Sequence, residues 1–142
     1  MPLKINIVAI LIATVASFII QMVWYTALFS KTWSKEMGYD PNMRPDKKGM
    51  IKGMLLSILG SFLFAWVLAF YLAGWKFIPG ANEVSPLISG VNSAISVCLG
   101  FFIPVQLSRV VWEKHSWKLF FINVGYHLVA TIVVAVILSL MN

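Results

Sequence analysis

Four stretches of this chain contain no Asp, Glu, Lys or Arg: residues 5–30, 53–75, 84–108 and 119–142. Each exceeds the ~20 residues that a helix rising 1.5 Å per residue needs to cross a ~30 Å hydrocarbon layer. All the charges lie between or beside these runs. A charge near the bilayer centre costs at least ~2.5 kcal/mol, so this is the pattern a membrane imposes. The runs lack the ~10-residue alternating segments of a transmembrane β-barrel. The expected fold class is all-α, an integral membrane bundle of four transmembrane helices. Spans are expected at about 5–30, 51–75, 85–108 and 117–140, within one domain covering residues 1–142.

Composition closes off the soluble alternative. The chain is 60% hydrophobic and 11% charged, against ~25% charged in a soluble domain. A net charge of +6 would raise nucleic acid as a partner of a soluble protein. Here the basic residues fall in two loops between apolar runs, where membrane topology accounts for them, and no nucleic acid is expected. The first run is far longer than the 7–15 apolar residues of a signal peptide and ends in Trp24-Tyr25 and Phe29 rather than at a small-residue cleavage site, so it reads as a retained span. Cys98 is alone. It reads as a small buried hydrophobe and has no disulfide partner in the chain.

The boundaries carry their own signals. The first helix is expected to run on to about Met37, with Gly38 as its stop. Asp40-Pro41-Asn42 reads as a turn. Pro45 and Asp46 suit the first turn of the second helix, where proline loses no hydrogen bond and an acid meets the positive end of the dipole. That helix is expected to end before Pro79-Gly80. Ser85-Pro86 reads as a cap followed by proline at the first helical position, Ser116 as a cap for the fourth helix, and Pro104 as a kink in the third.

Counting lysine and arginine by loop orients the bundle. Lys31, Lys35, Arg44, Lys47, Lys48 and Lys52 lie between spans one and two, and Arg109, Lys114 and Lys118 between spans three and four. Only Lys4 and Lys76 lie on the other side. By the positive-inside rule, both basic loops are expected in the cytoplasm and both termini outside, in a multi-pass protein of a bacterial plasma (inner) membrane. Anionic lipid head groups are the expected partners of Lys47, Lys48, Lys52, Arg109 and Lys114, at about 1 kcal/mol per residue. Trp24, Tyr25, Trp33, Trp75, Trp112 and Trp117 fall near span ends and read as an interfacial anchor belt.

Uncharged helices associate in lipid through close packing and interhelical hydrogen bonds. Gly53, Ser57, Gly60 and Ser61 on helix two, and Ser89, Ser93, Ser96, Gly100 and Pro104 on helix three, recur at helical spacing and are expected to face other helices. The stronger polar groups inside the spans are Gln21, Asn92, Gln106, Asn123 and His127. Asn123, His127 and Thr131 share one face of helix four, and Thr14, Ser17 and Gln21 one face of helix one. Gln21 lies roughly 13 Å from the end of its span, and His127 lies at nearly the same depth on helix four. The two are therefore expected to approach each other, with Ser61 at a similar level. Histidine is the side chain that titrates near neutral pH, and an ionisable group inside a membrane is a functional candidate. It also serves as interhelical glue.

Other chemistry lacks its residues. His115 and His127 have no Cys, Asp or Glu at metal-ligand spacing, and the Cys-x-x-Cys-His of a c-type haem is missing. A b-type haem between helices would use two intramembrane histidines, and only His127 is available. No Gly-rich phosphate loop occurs. No acid lies inside a span to complete a Ser-His-Asp triad; Glu36, Asp40, Asp46 and Glu113 read as solvated loop charges. No metal, cofactor or catalytic residue is expected, and the chain does not read as an enzyme.

The segment Trp24-Tyr25-Thr26-Ala27-Leu28-Phe29-Ser30-Lys31-Thr32-Trp33-Ser34-Lys35-Glu36-Met37-Gly38 resembles the signature of a bacterial family of small four-helix membrane proteins, known as domain of unknown function number seventeen sixty-one. In that pattern a Trp-Tyr pair is followed by an apolar stretch, a Phe, a Lys, a Trp and a closing Met-Gly. Asn123-Val124-Gly125-Tyr126 is a weaker likeness. Family members often have glycine just before the Trp-Tyr pair, where this chain has Gln21-Met22-Val23. They often have Ser-Pro after it, where this chain has Thr26-Ala27, which implies a straighter helix end here. The resemblance implies four helices in a bacterial membrane and draws attention to Trp24, Tyr25, Phe29 and Trp33. Tyr25, Phe29 and Trp33 are spaced by four and are expected to share a face that docks the end of helix one against the second basic loop.

Three function classes fit. The chain suits a structural or accessory membrane component working as a homo-oligomer or beside a larger complex, and the few, uncharged polar groups favour this reading. It also suits a small oligomeric transporter or channel built on a polar layer around His127, or a sensor of lipid or a small ligand. A transporter requires polar residues facing a common cavity, a sensor requires an internal pocket, and an accessory subunit requires small-residue grooves on its outside.

Overall fold

The computed structural model describes residues 3–40, 42–44 and 46–142. Its α-helices are α1 (Ile7–Met22), α2 (Ser30–Met37), α3 (Lys47–Trp75), α4 (Pro86–Val97), α5 (Ile103–Trp112) and α6 (Trp117–Met141). A wide π-turn, Val23–Leu28, continues α1, and a second, Cys98–Phe102, joins α4 to α5. Four helical rods result that are long and apolar enough to cross a membrane: Ile7–Leu28, Lys47–Trp75, Pro86–Trp112 and Trp117–Met141.

The caps explain most of the boundaries. The Ser85 and Ser116 hydroxyls accept from the amides of Ile88 and Leu119, opening α4 and α6. Asn6 caps α1 by accepting from Val8 and Ala9. Gly38 closes α2 in the left-handed conformation (φ 76°), where its amide reaches back to Lys35. Asp40 organises the following turn, its carboxylate accepting from the Asn42 amide; Pro41 and Pro45 lie outside the described residues. Asp46 is the N-cap of α3, not a residue of its first turn, because its carboxylate accepts from the Gly49 amide. The helix that carries the second span therefore starts at Lys47, one residue after the expected Asp46, and the helix that carries the third span continues beyond residue 108 to Trp112. This extension carries Arg109 onto the last turns of α5.

Neither long interruption is a break to solvent. The Thr26 hydroxyl donates to the Met22 carbonyl within the first π-turn, competing with the backbone ladder. Phe29 then takes φ −122°, ψ 13°, and donates to the Trp24 carbonyl, five residues back. The end of helix one is thus wound wide and offset, not straight. Near the second π-turn, the Pro104 ring would clash with the carbonyl four residues earlier in a regular helix. The widened turn, with Ile103 donating to the Cys98 carbonyl, makes room for it.

Helix α6 is the axis of the bundle: α1 and α4 pack along it, α3 and α5 touch it, and α1 also packs on α3. The core is Ala9, Ile10, Ala13, Ala65, Leu68, Ala69, Leu72, Ala94, Val97, Val134, Ala135 and Leu138. So many alanines let helix backbones approach closely, the packing that drives association in lipid. This core occupies the end of the bundle where the two chain ends meet. There the Asn6 amide and side chain donate to Asn142 and Met141, and Lys76 donates to the Asn142 carbonyl. At the basic-loop end the bundle is looser, and residues 47–56 of α3 are exposed throughout.

Of the small residues expected to face other helices, Ser61 and Ser93 are buried, but others are not. Gly53 and Gly60 are exposed, with nothing within 4 Å of an added Cβ. Ser96, Gly100 and Pro104 face outward. The close approach is made instead by Gly90, where a Cβ would sit 3.1 Å from the Ala135 carbonyl oxygen of α6.

Candidate functional site

Loosening at the basic-loop end leaves two adjoining cavities. The inner one, of about 280 Å³, lies between all four rods and is lined by Ser17 and Gln21 (helix one), Ser57 and Ser61 (α3), Phe102, and His127 and Thr131 (α6), among others. The outer one, of about 410 Å³, is lined by Gln21, Tyr25, Trp33, Arg109, His115 and Asn123, with further residues of the same elements. Gln21, Tyr126 and His127 line both. They therefore form the neck between a mouth at the level of the loops and a chamber inside the spans. Beyond the chamber, one turn further along α1 and α6, Ala13 and Val134 belong to the closed core. The cavity system is a vestibule that the core closes at its inner end.

Local structure positions each wall. The Trp24 indole donates to the Ile122 carbonyl at 3.0 Å, and its ring lies against Gly125, where an added Cβ would meet it at 3.0 Å. The Tyr25 hydroxyl donates to Asn123 Oδ1 at 2.7 Å, leaving the two N–H donors of that amide for other partners. Tyr25 also stands edge-on to Tyr126 and to Trp33, with centroids 5.3 and 5.9 Å apart. His127 lies flat on Phe102, centroids 4.2 Å apart and planes 6° from parallel. Stacking fixes the plane of the imidazole, and His127 lines both cavities.

The mouth depends on one turn. Lys114 adopts φ 57°, a conformation that costs a side-chain-bearing residue about 1–2 kcal/mol. It lets the amides of Glu113 and His115 both reach the Arg109 carbonyl, at 3.0 and 3.2 Å, in the pattern that closes a helix C-terminus. This turn sets His115 beside Arg109 on the outer chamber. On its far side the His115 ring faces the Glu113 carboxylate, 3.4 Å from Nε2.

Gln21, Ser61 and His127, singled out at one depth by sequence, line one cavity. Asn123 and Thr131 join them on the same face of α6, both buried. Gln106 is buried on α5. Asn92 is not part of this layer: it lies on the outer face of α4, exposed along with Ser96. Phe29 leaves the expected Tyr25–Trp33 face and packs on Trp24, centroids 4.9 Å apart, because the π-turn inserts one residue before it. Trp24 and Tyr25 are interhelical residues rather than lipid-facing anchors, and Trp75 donates its indole to Ser93 at 2.9 Å. Trp112 and Trp117 are exposed, as anchors would be. Sequence reasoning assigned Arg109 and His115 only to a basic loop and overlooked Gly90. The spacing Gly90-x-x-x-Ala94, a small-xxx-small pattern, was the signal for Gly90.

A family model for proteins of unknown function, DUF1761, matches residues 8–139. The chain belongs to this family. Neither the comparison with curated proteins nor that with solved structures found a match. The stretch shared with DUF1761 proteins contains every residue that lines the two cavities, together with the Trp24–Gly38 segment that marks the resemblance. The family carries no assigned activity, so the functional reading rests on the vestibule.

Proposed function

We propose that this chain is a multi-pass protein of a bacterial inner membrane that takes a small polar ligand into a vestibule between its helices, acting as a sensor or as one state of a carrier. The supporting observation is the convergence of Ser17, Gln21, Ser61, Tyr126, His127 and Thr131 on a cavity of about 280 Å³, near the lower limit of small-molecule sites. Hydrogen-bonding groups inside a span are costly unless they meet one another, water or a ligand. The alanine-rich core that stops the cavity argues for a binding site over an open channel. The excess of lysine and arginine in the two loops supports a cytoplasmic mouth under the positive-inside rule. Among the described residues no acid lines the vestibule, and we read the layer as recognition rather than catalysis.

A second reading, a homo-oligomeric or accessory component, is favoured by the outward face of the third rod. Asn92, Ser96, Gly100, Pro104 and Ser108 follow at four-residue steps and are all exposed. An amide facing lipid gains about 0.6–2 kcal/mol from a partner helix. Native mass spectrometry from mild detergent separates the readings. The vestibule predicts a chain carrying an added small mass, whose occupancy falls in Gln21→Leu. Multiples of the chain mass that collapse to one in Asn92→Leu, with no small adduct, would favour the oligomer.

A further inference from the structure

We infer that the vestibule is an anion site, with the Arg109 guanidinium as its charged anchor and His115 and the Asn123 amide as further donors; this deepens the vestibule reading and rests on it. Arg109 and His115 stand at the mouth, and His127 is the further basic side chain on the lining, at the neck. Among the described residues, no carboxylate lies within ion-pair distance of Arg109. The acids nearest along the chain, Glu36 on α2 and Glu113 after α5, are absent from the lining. Glu113 contacts His115 on an exposed side, its side chain 59% accessible. It orients the imidazole without occupying the chamber. Deeper in, the Asn123 carbonyl oxygen is held by Tyr25, and its NH2 offers two donors. A guanidinium fork and an amide NH2 around one space suit a carboxylate or phosphate, and the His115 ring, whose Nε2 faces Glu113, adds a donor through Nδ1–H. A cationic ligand would meet Arg109 with no counter-charge. The group recognised is therefore a small oxyanion, free in solution or carried on a lipid head group.

The test is thiol labelling of Met22→Cys, at the vestibule wall, in a Cys98→Ala background, using a neutral water-soluble reagent on protein in nanodiscs. Inorganic phosphate in phosphatidylcholine discs probes a soluble anion, and discs containing phosphatidylglycerol without phosphate probe a head group. The expected result is that at least one of these slows labelling. Arg109→Gln should weaken that protection about tenfold, the size of one charge-assisted hydrogen bond, while Arg109→Lys keeps part of it. Protection by phosphate alone identifies a soluble ligand, and protection by phosphatidylglycerol alone a lipid. Labelling that neither anion slows, or protection that Arg109→Gln leaves intact, overturns the anion assignment while the vestibule stands. Complete failure of Met22→Cys to label, beside an exposed Asn42→Cys that does, removes the vestibule and this inference with it.

Discussion

Replacing Gly90 by leucine is expected to part α4 from α6 and to lower the unfolding free energy by about 3 kcal/mol or more, at the upper end of the range for overpacking. A Cβ at this position would lie 2.8 Å from the Ser139 hydroxyl and 3.1 Å from the Ala135 carbonyl oxygen. The hydroxyl can rotate away, but the carbonyl is helix backbone and cannot. Gly90→Ala is therefore expected to cost about 1–2 kcal/mol, and Ser139→Ala to restore only part of it. Unfolding in mixed micelles, followed by circular dichroism, gives these differences. Full rescue by Ser139→Ala would mean that α6 shifts freely and that the contact is not a backbone packing point.

The second large effect is expected at Trp24, which joins helix one to α6 through the Ile122 carbonyl. Trp24→Ala loses that bond and a half-buried ring, about 2 kcal/mol, less than the 3–5 kcal/mol of a fully buried tryptophan. Gly125→Ala is expected to cost about 1 kcal/mol alone, because its Cβ meets the indole at 3.0 Å. In the Trp24→Ala background the clash has no partner. There the same change is expected to be neutral or to stabilise by up to about 1 kcal/mol through helix propensity. The sign reversal is the diagnostic feature of this double-mutant cycle. Additive costs would show that Gly125 serves something other than the indole.

Both sites show where sequence reasoning reaches its limit. Charge-free runs and serine caps at Ser85 and Ser116 mark spans because they are local consequences of solvation and of unpaired amides. Depth along a span placed Gln21, Ser61 and His127 at one level for the same reason, and they line one cavity. Phe29 defied the four-residue spacing because a π-turn adds a residue to a helical turn, rotating everything after it. That turn forms alongside the Trp24 and Tyr25 contacts to α6, which no local pattern encodes. Arg109 looked like a loop charge because the end of α5 is fixed by the left-handed Lys114, an unfavourable conformation for lysine. Asn92, singled out only as a polar group inside a span, lies on the outer face of α4, because a residue's type does not say which neighbour it meets.

Water access to the vestibule is the central claim, and two cysteines on one helix test it. Gln21 lines both cavities, whereas Ile19, two residues away at nearly the same depth, is 54% exposed on the outer surface. In a Cys98→Ala background reconstituted in nanodiscs, Gln21→Cys is expected to react with a water-soluble thiol reagent while Ile19→Cys does not, because the latter thiol sits in hydrocarbon. Equal inertness of both would contradict a polar vestibule reaching between the helices.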